Sequence, residues 1–170
     1  MKRDRAANDP FRTARSGHWT PPLELVGTSF ERRRSFFESN PSHCNGCVPC
    51  PACGYPTLGS IAGYDYCPIC HWTDDGHDDP WADQPNGGPN DSSLAVARAN
   101  FAETYSVWAF SEANDFGAEQ QDRLFSPGAL AFKRRLCALY DGLQYLRSAE
   151  AVARRWRAIE AQWARVRHDG

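Results

Sequence analysis

Two short cysteine pairs constrain this chain more than any other feature. Cys50-Pro51-Ala52-Cys53 and Cys67-Pro68-Ile69-Cys70 each read Cys-x-x-Cys, with 13 residues between them. Thiolates two residues apart reach one ion from a single tight turn, and two such pairs complete a tetrahedron. The pairs must then be brought face to face. Tyr55-Pro56-Thr57-Leu58 and Gly63-Tyr64-Asp65-Tyr66 are rich in strand-favouring types, with Gly59-Ser60 between them. This pattern predicts two short strands and a turn that return Cys67 and Cys70 to Cys50 and Cys53. Pro51 and Gly54 suit a turn whose amides face inward.

Other uses of such cysteines fit less well. A Cys-Pro-x-Cys redox site needs a βαβ setting, which the pattern lacks, and has no need of two copies. A disulfide staple needs an oxidising compartment. Met1-Lys2-Arg3-Asp4-Arg5 is charged and no apolar stretch follows it, so a cytoplasmic location is expected. Six of the seven cysteines fall between 44 and 70, which points to local metal chemistry. The expected ligands are Cys50, Cys53, Cys67 and Cys70. The pairs sit slightly closer than the usual ribbon separation of about 15–20 residues. The Cys-x-x-Cys-Gly-Tyr turn also looks like a rubredoxin knuckle, so iron is the alternative; zinc is preferred for tetrahedral thiolate sites.

The matching residues extend further. They are Cys50-Pro51-Ala52-Cys53-Gly54-Tyr55, Cys67-Pro68-Ile69-Cys70-His71-Trp72, Asp74-Asp75-Gly76, Asp79-Pro80, Asn86-Gly87-Gly88, Ser93-Leu94 and Asn100-Phe101-Ala102. The run from Cys50 to about Tyr105 resembles the bacterial cysteine-rich CPCC family, over roughly a third of the chain. That resemblance implies a small metal-binding domain and supplies no catalytic residues. The family has a further Cys where Ala52 stands, so a third cysteine is not required here.

The chain has 170 residues, 41% hydrophobic and 24% charged, enough for one modest domain or a small module with an extension. A net charge of −2 gives no global basic field to draw it onto nucleic acid or an anionic membrane. No apolar run approaches the roughly 20 residues of a membrane span. The expected organisation is a basic, partly disordered extension over 1–41, a cysteine-rich metal-binding domain over 42–106 and an amphipathic helical extension over 107–170.

Within the first segment, Ser29 to Ser39 reads as a short helix capped by Ser29. Phe30, Phe36 and Phe37 form its apolar edge and Arg32-Arg33-Arg34 lies on its outside. Cys44 and Cys47 are either free thiols or, with His43, His71 or His77, ligands of a second zinc. Asp74 to Asp83 reads as a solvated or helix-capping acidic turn, because the alternating ligands and closing Glu of a calcium loop are absent. Trp72 and Trp81 are expected to cover the metal turn. Asp91 or Ser92 caps a helix to about Tyr105, with Leu94, Ala97, Phe101 and Tyr105 on one face.

Trp108 and Phe110 are expected to be buried. Ser126-Pro127 opens a strong helix with Phe132, Leu136, Leu139, Leu143 and Leu146 along one face. A second series, Val152, Trp156, Ile159, Trp163 and Val166, slips in phase. The slip fits either a break near Ser148 or one long bent helix. Cys137 reads as a buried structural thiol.

These readings give an α+β chain: a small zinc-ribbon-like β-hairpin module packed on helices, with a helical C-terminal extension. Four thiolates leave no open position on the ion, so the metal is expected to be structural and the chain not an enzyme. The expected role is a zinc-binding interaction module in bacterial regulation or conflict. Its partner would be a protein or a second copy, met through the tryptophan-rich, arginine-rimmed C-terminal helices. A nucleic-acid-binding ribbon is the first alternative, opposed by the acidic stretch beside the metal. An enzyme using His71, His77 and the aspartates around a second ion is the other.

Overall fold

The structure of the chain, a computed structural model, describes residues 19–85 and 87–168, with side chains through Arg165. The first 18 residues of the extension expected to be partly disordered, and the assignment of Val166 to the second apolar series, lie outside the described side chains; in the described remainder Trp19 is buried and Leu23–Leu25 forms a 3₁₀ turn.

Helix α1 spans Ser29–Ser39 and is capped one residue earlier than expected, by Thr28, whose hydroxyl accepts from the Glu31 amide at 3.1 Å. Its buried positions are Phe30, Arg34 and Phe37, the i, i+4, i+7 stripe of a helix. Arg34 therefore belongs to the inner face and not to the outside of α1. It is 1% exposed and donates to both carboxylate oxygens of Asp78 at 2.7 and 2.5 Å.

The strands pair differently from the expected hairpin. Strand β1, Val48–Pro49, runs antiparallel to β2, Pro56–Leu58, so this hairpin encloses the first cysteine pair. The second stretch does not pair with β2. Tyr66 bridges Thr73 instead, and the Tyr64 amide donates to the Asp74 carbonyl at 2.9 Å. Each cysteine pair thus sits at the tip of its own small hairpin. The reason is local: a Cys-x-x-Cys turn reverses the chain by itself, so its own flanks are the nearest strand partners.

Helix α2, Leu94–Thr104, is capped by the Ser93 hydroxyl, just after the predicted Asp91 or Ser92. It buries Leu94, Ala97, Arg98, Phe101 and Thr104, and ends with Tyr105 in the left-handed region at φ 56°. Beyond it, the Val107 amide donates to the Cys70 carbonyl at 2.9 Å and ties the following segment to the second cysteine turn. Trp108 is half-buried, but Phe110 is 48% exposed, against expectation. It opens a 3₁₀ turn, Phe110–Asp115, and its ring meets Phe125 of the short helix α3, Ala118–Phe125.

Helix α4, Pro127–Gly142, starts at the predicted Ser126 cap with Pro at its first position. Leu136 and Leu143 are fully buried, and Phe132, Leu139 and Leu146 pack partly buried against the core. Lys133, Cys137 and Tyr140 are buried as well, so the inner face is broader than the leucines alone suggest. A 3₁₀ turn at Leu143–Tyr145 then breaks the chain, and α5, Ala149–His168, follows. The phase slip is therefore a break between two packed helices. Val152, Trp156 and Ile159 of α5 are buried within the chain, and the Trp156 indole donates to the His43 carbonyl at 2.9 Å. The buried cluster is continuous from Phe37 through the cysteines to Leu136, Tyr140 and Trp156, giving the α+β arrangement one shared core. Among the described residues no helix is long and apolar enough to cross a membrane.

Candidate metal centre

The two cysteine turns are built alike. In the first, the Cys50 amide donates to the Tyr55 carbonyl at 2.9 Å and the Gly54 amide to the Cys50 carbonyl at 2.8 Å. In the second, the Cys67 amide donates to the Trp72 carbonyl at 2.8 Å and the His71 amide to the Cys67 carbonyl at 2.8 Å. The residue after the second cysteine is left-handed in both, Gly54 at φ 79° and His71 at φ 75°. Glycine adopts that backbone without a Cβ penalty; histidine does not. In the first turn a Cβ on Gly54 would meet the Arg34 amide at an ordinary contact distance of 3.4 Å, so the backbone conformation and not crowding is what favours glycine there.

The turns meet with their sulfurs inward. Cys50, Cys53, Cys67 and Cys70 place all four Sγ atoms within 4.8 Å of one another, and each residue is 0% exposed. Cys50 Sγ lies 3.7 Å from Cys70 Sγ, and Cys53 Sγ 3.8 Å from Cys67 Sγ. A tetrahedron with metal–sulfur bonds of about 2.3 Å has edges of about 3.8 Å. The spacing thus fits a thiolate-bound ion, and it is far longer than the roughly 2.05 Å of a disulfide. The four cysteines are able to hold a metal ion. Burial raises the Cys53 and Cys70 thiols well above their ordinary range. Burial acts on Cys67 in the same sense, but hydrogen bonds from Cys50, Cys53 and Cys70 hold it well below that range. The Thr57 hydroxyl stands 3.1 Å from Cys67 Sγ, where it would donate to a thiolate.

The other cysteines do not join this group. Cys44 is buried and its thiol donates to the Phe37 carbonyl at 3.3 Å; burial pushes it up to about 12. Cys137 is buried in α4 and likewise raised to about 12 by burial. His43 packs edge-on against Phe36, and His77 Nε2 meets the Trp81 carbonyl at 2.5 Å. Among the described residues the four-cysteine group is the one metal-competent cluster found, and it contains neither Cys44, Cys47 nor any histidine.

The acidic stretch is a correction. Asp74, Asp75 and Asp78 are buried, not solvated. Asp78 is held by Arg34 and by Arg98 at 3.3 Å, and Asp79 by Arg98 at 2.8 Å and the Trp19 indole at 2.8 Å. Arg98 Nε also donates to the Pro51 carbonyl at 3.0 Å, so this ion network braces the first cysteine turn. Trp72 is buried as expected, whereas Trp81 is 37% exposed.

Sequence reasoning also missed the surroundings of His71. Its ring stacks on Trp108 at 5.5 Å, Nδ1 meets the Tyr66 hydroxyl, and Nε2 lies 3.1 Å from Lys133 Nζ. Burial, then the Lys133 charge, lowers His71 to about 3. The imidazole is neutral and accepts from the ammonium at Nε2, so Nδ1 carries the proton and donates to Tyr66. Burial lowers Lys133 to about 8, against the opposing pull of Cys70, Cys137, Cys67 and Cys53. The available signal was positional: Lys133 lies three residues before Leu136 on the same helical face.

Residues 48–122 match the family described as cysteine-rich CPCC. The match runs past Tyr105 and takes in the Phe110–Asp115 turn and part of α3. No curated protein and no solved structure matches the chain.

Proposed function

We propose, from the premise that residues 48–122 are a cysteine-rich CPCC segment, that the chain is a non-catalytic interaction module whose scaffold is locked by one structural zinc ion. What supports this reading is the sulfur geometry: four fully buried cysteines at tetrahedral spacing complete the coordination sphere and leave no position for water or substrate. Thiolate-only ligation favours zinc over harder ions. The partner is a protein. The tryptophan face of α5 is occupied inside the chain, so the contact surface lies elsewhere.

The loop from Gly59 to Tyr66 suits it. Ile61, Tyr64 and Tyr66 are 50, 62 and 54% exposed. Their backbone is pinned: Asp65 accepts from the Gly59 and Ser60 amides at 3.0 Å each, and Asp74 from the Ala62 amide at 2.8 Å. Aromatic and aliphatic side chains on a preordered backbone lose little entropy on association.

Two measurements test the proposal on the purified chain. Metal analysis should return one zinc per chain, given up more readily to chelator in Cys70→Ser; an unloaded wild type sinks the metal half. A protein retained by the wild type and released by the Ile61→Ser/Tyr64→Ser variant supports the loop. Equal retention by both, or salt-sensitive binding to nonspecific duplex in its place, refutes it.

A further inference from the structure

Lys133 is a buried charge whose contacts are all neutral. It is 6% exposed, and its ammonium meets the Tyr105 carbonyl at 3.1 Å and the His71 imidazole at 3.1 Å. Among the described residues no carboxylate pairs with it. A buried ammonium without an anion is costly in a protein interior. The buried arginines differ in this respect, since Arg34 and Arg98 both reach Asp78. Arg33 also approaches the first cysteine turn, but there it bonds the Cys53 carbonyl at 2.9 Å and lies over the Tyr55 ring.

The missing anion is close by. His71 directly follows Cys70, and its own amide is bonded to the Cys67 carbonyl. A divalent ion inside four thiolates carries a net negative charge, whereas the same four cysteines as thiols carry none. Resting on the metal reading above, we propose that the Lys133 ammonium is the counter-charge of the metal–tetrathiolate, carried to it by α4 and held there by His71. A histidine occupies the left-handed position where the first turn has glycine, and its ring nitrogen there meets the ammonium. It also makes the helical extension part of the metal site, because α4 supplies the charge that the cysteine turns lack.

The consequence depends on the metal. In the metal-loaded chain Lys133 faces the excess negative charge of the tetrathiolate and stabilises; in the metal-free chain that excess is gone and so is most of the stabilisation. The test uses the full chain, zinc and cobalt(II), and the variants Lys133→Met and Lys133→Arg. Lys133→Met should release zinc to excess chelator about 10-fold faster or more, the usual effect of losing an outer-sphere partner. It should shift the thiolate-to-cobalt charge-transfer band. It should also lower the melting temperature of the zinc-loaded protein while largely sparing that of the metal-free protein. Lys133→Arg keeps the charge and should release zinc at close to the wild-type rate. Unchanged release and an unmoved cobalt band in Lys133→Met overturn the proposal, as does an equal loss of melting temperature with and without metal. A wild type that holds no zinc at all overturns the metal reading itself, so the two failures are told apart.

Discussion

Replacing Cys67 with Ser is the sharpest test of the centre. The serine keeps the backbone amide that closes the second turn on Trp72 and removes one sulfur from the group of four. Structural zinc contributes roughly 10–16 kcal/mol of apparent binding free energy at neutral pH. Shared evenly by four ligands, that is about 2.5–4 kcal/mol for each, or about 60- to 700-fold in affinity. The assay is chelator competition at pH 7 with a chromogenic indicator, alongside thermal melts at fixed excess zinc. Binding to the native state alone transfers the affinity loss into stability, so at saturating zinc the same 2.5–4 kcal/mol should appear, roughly 5–16 °C in a chain of this size. Cys44→Ser is the control: its thiol bonds the Phe37 carbonyl, away from the sulfur group, so stoichiometry should not change. Full zinc content and an unshifted melting temperature in Cys67→Ser would falsify the assignment.

Three further outcomes follow from the surroundings of the site. Arg34→Met leaves the Asp78 carboxylate with a weaker contact to Arg98, and should cost about 3–5 kcal/mol in denaturant titration, most of it regained in Arg34→Met/Asp78→Leu; a double variant no better than the single one contradicts the ion-pair account. Thr57→Val removes the hydroxyl beside Cys67 Sγ and should speed zinc loss by about 10-fold, and an unchanged rate means that the hydroxyl does not donate to the thiolate. His71 is lowered from 6.5 to about 3 by burial beside Lys133, so the unfolded chain takes up its proton first and stability is lost as pH falls through that window. Relative to His71→Asn, which tolerates the left-handed backbone, the wild type should therefore lose melting temperature between about pH 6.5 and 3; parallel profiles refute it.

Much of the site was legible because its signal is local. Cys-x-x-Cys specifies a turn and two ligands within four residues, and Ser126-Pro127 specifies a helix start within two. The strand partners were harder. Tyr55 to Leu58 and Gly63 to Tyr66 both read as strand, but nothing in either says that each pairs with the far side of its own cysteine turn. Burial of charge was least legible. Arg34 and Asp78 lie 44 residues apart, and each alone looks like a surface residue; the Phe30 and Phe37 spacing on either side of Arg34 is the one clue to its inward face.

By itself, then, the amino-acid order determined the four candidate ligands, the start of α4 and the α+β composition, because each depends on neighbours along the chain. The tertiary structure decided which charges are paired, which aromatic rings are covered, and that Lys133 of a distant helix stands behind Cys70 through His71. Those are properties of segments brought together from far apart. Their energies depend on how much water is excluded at the meeting point, which no single segment contains.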